Sequence, residues 1–324
     1  MQGYSRWVSF GLDVKLYFDS YFYDLIGKRN EAAPIRKWLR ANGHQVMAST
    51  EANVVEAMRI TDLTERDQRL LTIKRVGISI HPAYDYRRYR EIADELWRLR
   101  PDWFRHSLDR QRIVEYLRRR KRDWLVVSNP TRVTDLQEKN LHIDALIGRD
   151  IGRQKQHRRR PQLGVGWSPR HSNAQVQECM DRRTQPDVHL RYASSEESRA
   201  TIDGEIRPNG HLAWLIGLMW PQSRDDWDRF WMCDLDVART PLCRIVGLTE
   251  YYQRQRKVTP GNSIDRLGHA PHQYEFDYFL TTDRRFFQVL QDVRAEMSDV
   301  TLAQVALIDS EAPSALAAIE SAIN

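Results

Sequence analysis

The sequence predicts an α/β protein whose parallel sheet, flanked by helices, is interrupted by a mainly helical insertion. Three observations carry that prediction. Residues 1–65 hold two short apolar, aromatic and β-branched runs alternating with helix-patterned segments, the opening of a parallel sheet. Residues 238–324 return to the same alternation, with two further strand-like runs, each followed by a helical pattern. Between them, residues 66–237 read as long charged helices and polar loops, rich in Arg and Trp. The expected organisation is therefore one discontinuous domain, 1–65 with 238–324, split by an insertion at 66–237.

Taken in order, the first strand is expected over Val14–Ser20, where Leu16, Tyr17 and Phe18 form an unbroken apolar run that ends in the carboxylate of Asp19. One helical stretch follows, with Ile26, Ile35, Trp38 and Leu39 for its inner face and Asn42-Gly43 as its stop signal. His44–Ala48 is the second strand, and Ser49 or Thr50 is placed to cap a helix carrying Val54, Val55, Glu56 and Met58. Within the insertion, Tyr84–Arg122 is dense in Arg, Glu and Trp, and Trp124–Ser128 is strand-like. Leu212–Trp220 and Trp227–Trp231 read as aromatic-rich helical pieces. Pro241–Gln255 is then a helix with Leu242, Ile245, Val246, Leu248 and Tyr252 as its apolar set. Pro260–Asn262 breaks the chain, and Ser263 caps a helix carrying Asp265. Phe276–Thr282 is a strand closed by Asp283, at the mouth of a helix running to Arg294. Ala303–Ile308 and Pro313–Ile323 supply the last strand and helix.

Composition narrows the class. With 41% hydrophobic residues, the 324-residue chain has enough apolar material for a packed core and is not of the disordered type. Its longest apolar stretch, Leu212–Trp220, is bounded by Pro221 and contains Gly217, well short of the roughly 20 residues a bilayer span needs. Cys179, Cys233 and Cys243 form no CxxC pair, which argues against a disulfide framework or a zinc cluster. No basic segment followed by an apolar one opens the chain, so a cytoplasmic location without membrane partners is expected. Of the 50 basic residues, set against 44 acidic ones, eight are lysine, which leaves 42 arginines. The planar guanidinium suits phosphate, although a coding bias toward arginine would produce the same count.

The acidic residues are more informative than the basic ones. In an open parallel sheet, ligands collect at the carboxyl ends of the strands. Two strands here are expected to end in Asp19 and Asp283, while Glu56 and Asp265 stand near the starts of helices that begin at that edge. Four carboxylates gathered there would repel one another without a counter-ion, and a hard divalent cation is the economical answer. Each also has a structural reading: Asp283 as a helix cap, Asp265 as a helix N-terminal acid and Glu56 as a solvated helix residue.

Leu16–Ser20, Ser49–Ala57, Gly261–His269 and Asp277–Phe286 together resemble PIN-domain ribonucleases. That family's pattern is a strand-end Asp, a helical Glu, a helical Asp followed by His, and a terminal D-x-x-x-T-x-D-x-x-F. The resemblance implies a PIN-like fold and an endoribonuclease that uses Mg²⁺ or Mn²⁺. It implies catalytic and metal-binding roles for Asp19, Glu56, Asp265 and Asp283, with the Thr281 hydroxyl beside them. It further suggests RNA as substrate, and a toxin or defence role with an antitoxin or other regulatory partner. The match covers residues 12–65 and 238–324. It departs from the family at Tyr21, where Asn is usual, and through the large insertion. Asp277 is expected to serve the strand entrance rather than act as a fifth acid, and His269 and His272 are expected to pack rather than ligate.

Arg284 and Arg285, beside Asp283, are the basic residues nearest the expected metal. Arg118, Arg119 and Arg120, with Arg158, Arg159 and Arg160, form two runs suited to tracking a phosphate backbone. Trp97, Trp103, Trp124 and Trp167 are candidates for stacking on unpaired bases, with core packing as the ordinary alternative. Arg-x4-6-His spacings occur at the rate expected by chance in so arginine-rich a chain and carry no weight. A non-catalytic RNA-binding module and a structure-specific DNA nuclease are the alternatives.

Overall fold

The computed structural model describes residues 14–76, 79–81, 84–104, 171–192, 194–195, 223–256, 259 and 261–323, with isolated positions at 115, 148 and 152. In chain order the elements are β1 (Lys15–Phe18), α1 (Ser20–Lys28), α2 (Ala32–Ala41), β2 (Gln45–Ser49), α3 (Val55–Met58), α4 (Leu63–Val76), β3 (Ser79–His81) and α5 (Tyr84–Leu99). There follow α6 (Ala174–Asp181), α7 (Arg224–Arg229), α8 (Pro241–Arg254), β4 (Tyr278–Thr281), α9 (Arg284–Glu296), β5 (Gln304–Leu307) and α10 (Ala315–Ile323).

The five strands form one parallel sheet in the order β3-β2-β1-β4-β5. Leu16 aligns with Val46 on one side and Tyr278 on the other, so β1 is central and buried on both faces. That burial is why its sequence reads as continuously apolar rather than alternating. Leu16 and Phe18 face one side, where they join Phe22, Ile26, Ile35, Leu39, Ile73 and Ile319 in the principal core. Each fully buried side chain of this size contributes about 1.5–3 kcal/mol. Tyr17 faces the other side, its ring stacked on His272 at 4.4 Å and 4.8 Å from that of Phe279. Phe279 in turn meets Phe286 of α9 edge-on.

Several elements differ from the sequence expectation for local reasons. The single helix expected after β1 is two: α1 stops where Asn30 takes a left-handed φ of 54°, a conformation Asn tolerates better than most residues. Then α2 ends at Ala41 with Asn42 as its C-cap, and Gly43 at φ 67° turns the chain into β2. The regular helix expected straight after Ser49 and Thr50 is preceded by a wide π-turn, Thr50–Val54, that leads into α3. The strand β3 was not anticipated, because three residues carry too little pattern to be seen.

The chain divides into two compact units. The first includes the described residues up to 81 and from 272 onward; the second includes those from 84 to 271. The sheet unit is thus longer at its first boundary than 1–65, because α4 packs against α1, α2 and α3. It is shorter at the second than 238–324, since α8 and the residues to 271 group with the second unit. That second unit has its own core of Ile92, Leu96, Trp103, Trp227, Phe230 and Trp231. Arg191 is buried there, donating to the carbonyls of Trp231 (2.8 Å) and Leu235 (3.0 Å) and to the Asp187 carboxylate. No helix among the described residues is long and apolar enough to cross a membrane.

Candidate active site

The sheet order creates a switch point. From β1 the chain moves to β2 and β3 on one side, then returns through β4 to the other side of β1. The β1–β2 connection, through α1 and α2, packs on the Leu16 and Phe18 face, whereas α9, between β4 and β5, packs on the Phe279 face. Connections that leave adjacent strands on opposite faces open a crevice at the carboxyl ends, where ligands of such sheets bind. Asp19 follows β1 and Asp283 follows β4, so the two aspartates flank that crevice.

Asp19 is 2% exposed, and a buried carboxylate must be partnered. Its Oδ1 accepts the backbone N–H of Phe22 at 2.7 Å, capping α1, and its Oδ2 accepts a short hydrogen bond from the Thr281 hydroxyl. Its own N–H donates to the Leu280 carbonyl at 3.0 Å, extending the β1–β4 ladder by one residue. The Thr281 oxygen accepts the N–H of Asp283 at 3.0 Å. Asp283 caps α9 through Oδ1, which accepts from Arg285 N (2.7 Å) and Phe286 N (3.0 Å). Both aspartates therefore perform the capping that sequence reasoning offered for Asp283 as an alternative, and Thr281 joins them into one hydrogen-bonded chain.

Asn53 belongs to the same edge. Its fully buried amide donates to the Phe18 carbonyl at 3.0 Å and to the Ser20 hydroxyl at 3.3 Å, pinning the π-turn before α3 to the end of β1. Sequence reasoning missed this residue and noted only that the usual Asn after Asp-Ser is absent. The signal available was an Asn one turn ahead of Glu56. Glu56 itself lies half-buried in α3. Tyr23 is fully buried, its hydroxyl has no hydrogen-bond partner among the described residues, and its pKa is pushed above the ordinary phenol value, first by burial and second by the charge of Asp19.

The remaining expected residues are distributed as follows. Asp265 belongs to the second unit, where it opens the π-turn Asp265–His269 and its N–H donates to the Gly261 carbonyl at 2.9 Å. Asp277 sits at the amino end of β4, its carboxylate accepting the Lys15 N–H at 2.8 Å, which is the strand-entrance role expected of it. His272 packs on Tyr17 and His269 is buried. Arg284 and Arg285 are exposed in the first turn of α9. Cations there oppose the helix dipole, at a cost of about 0.3–1 kcal/mol each. Arg118, Arg119, Arg120, Arg158, Arg159, Arg160, Trp124 and Trp167 lie outside the described residues, as do Trp124–Ser128 and Leu212–Trp220. Trp103 is a core residue, its ring 6.1 Å from that of Trp227, so it packs rather than offering a stacking face. Trp97 is partly exposed beside Phe104.

Among the described residues, no three His, Cys, Asp or Glu side chains are placed to hold a metal ion together. The arrangement does fit a smaller donor set. Magnesium is commonly held by one or two carboxylates with water and substrate phosphate completing its shell. Both bonds to Asp283 fall on Oδ1, so capping and metal binding would draw on different oxygens. Both oxygens of Asp19 accept hydrogen bonds, and a carboxylate oxygen can take more than one partner. No family model, curated protein or solved structure matches this chain.

Proposed function

We propose that this chain is a PIN-like endoribonuclease dependent on Mg²⁺ or Mn²⁺, with Asp19 and Asp283 as the residues that hold the ion. One observation carries the reading: two aspartates at the carboxyl ends of the strands flanking the switch point, joined through the Thr281 hydroxyl. An ion held there would neutralise phosphate charge and make an attacking water more acidic. Thr281 orients the Asp19 carboxylate, while Asn53 anchors the segment that carries Glu56. Arg284 and Arg285 supply positive charge next to Asp283, where a scissile phosphate would lie. Glu56 and Asp265 are the further carboxylates that the resemblance assigns to this chemistry.

The test is RNA cleavage by the purified chain with Mg²⁺ or Mn²⁺, with EDTA as control. Asp19→Asn and Asp283→Asn are expected to abolish cleavage while the fold persists, since Asn keeps a capping oxygen. Full activity in both variants would refute the assignment. A second reading, a non-catalytic RNA-binding module, is favoured by the lack among the described residues of a group of three metal-ligating side chains. RNA binding without metal-dependent turnover would select it. Comparison of RNA and DNA substrates at matched salt separates a ribonuclease from a structure-specific DNA nuclease.

A further inference from the structure

The residue that breaks the family pattern is also the one that stands out on the surface. Tyr21 follows the buried Asp19 and Ser20 by one position, yet 55% of it is exposed, in the first turn of α1. Its helical neighbours Phe22, Tyr23 and Ile26 are all buried in the core, so α1 had apolar space and Tyr21 lies outside it. Of the large apolar side chains that are substantially exposed among the described residues, the only other tyrosine is Tyr274. Tyr274 precedes β4 and so belongs to the amino edge of the sheet, whereas Tyr21 follows β1 at the carboxyl edge. The β1–β4 pairing makes the starts of α1 and α9 neighbours, which sets Tyr21 on one side of the switch point and the exposed Arg284 and Arg285 on the other.

We infer that Tyr21 is a stacking platform for an unpaired nucleobase of a bound strand. The inference rests on the nuclease reading of the same edge for its location. An aromatic face across a strand-end edge from cationic side chains is a combination that can bind a flexible strand, with the ring taking a base and the guanidinium groups taking phosphates. A duplex keeps its bases stacked on one another and offers this ring nothing. Tyr21 is thus a specificity-determining residue, separate from the aspartates that would do the chemistry.

The experiment measures binding of the full chain, by fluorescence anisotropy, to a labelled single-stranded RNA dodecamer, its DNA counterpart, an abasic version and a duplex. Tyr21→Ala is expected to weaken binding of the single strands by about tenfold, within the range that loss of one base–aromatic stack produces. Tyr21→Phe, which keeps the ring, should bind within about twofold of the native chain. The abasic strand and the duplex should not distinguish Tyr21→Ala from the native chain. Equal binding of the single strands by Tyr21→Ala and native chain would overturn the inference, as would failure of the native chain to bind them. Uniform weakening on all four probes would overturn it too, because that marks a structural defect. Tyr21-dependent binding without cleavage in any divalent metal would remove the nuclease reading and leave the stacking platform standing.

Discussion

Thr281 offers the sharpest test of the proposed site. Its side chain is fully buried, its hydroxyl donates to Asp19, and its oxygen accepts the Asp283 N–H. Thr281→Val preserves the shape and removes both bonds. A hydrogen bond to a buried charged group is worth about 1.5–3 kcal/mol, and the half-buried N–H of Asp283 adds about 0.5–1.5 kcal/mol. A valine methyl in a strand returns a few tenths of a kcal/mol at most. The expected loss is therefore about 2–4 kcal/mol, read as a lower urea midpoint with unchanged slope. Thr281→Ser keeps the hydroxyl and should cost no more than the roughly 0.8 kcal/mol of a methyl group. A double-mutant cycle with Asp19→Asn should show coupling of about 1 kcal/mol or more, since the two side chains touch. Stability of Thr281→Val within about 0.5 kcal/mol of the native chain would refute the hydrogen-bonded chain linking the two aspartates.

Two further predictions concern the second unit. Burial pushes the Glu91 carboxyl up to about 8, against the opposing pull of the Leu242 and Cys243 N–H groups that donate to it at the start of α8. Its folded value lies above the unfolded one of about 4.3, so the folded state binds the extra proton and stability falls as pH rises from about 4.3 to about 8. Glu91→Gln should flatten that decline in urea midpoints measured across the interval, and an unchanged slope would count against the burial argument. Arg191→Met removes the donor to the Trp231 and Leu235 carbonyls and to Asp187, and should cost about 3–5 kcal/mol in thermal or urea unfolding. Arg191→Lys should recover less than half, because an ammonium lacks the planar fork that spans all three partners.

Much of the sheet unit was legible because its signals are local. The run Leu16–Phe18, the Asp283 cap of α9 and the strands near 278 and 304 all depend on residues within a few positions of one another, as does the helix at Pro241–Arg254 in the second unit. Some misses were local in cause and others were not. Asn30 gives no stop signal as strong as Gly or Pro, so α1 and α2 read as one helix. Strand β3 is three residues long. Trp103 is a stacking candidate by composition, and only its packing with Trp227 shows it to be core. Asn53 was invisible for a different reason: its partners, Phe18 and Ser20, are more than thirty positions away.

By itself the sequence determined that β1, β2, β4 and β5 are strands, and that an aspartate closes β1 and another closes β4. Periodicity, apolar runs and capping chemistry act over a few residues and can be read from them. Tertiary structure alone decided that β4 pairs with β1, since that choice brings together residues more than 250 positions apart. From that pairing follow the switch point, the Thr281 bridge between Asp19 and Asp283, and the placing of Tyr21 opposite Arg284 and Arg285. The neighbours of a strand are chosen by which faces and edges remain to be buried once the whole chain has packed, and no short stretch of sequence records that choice.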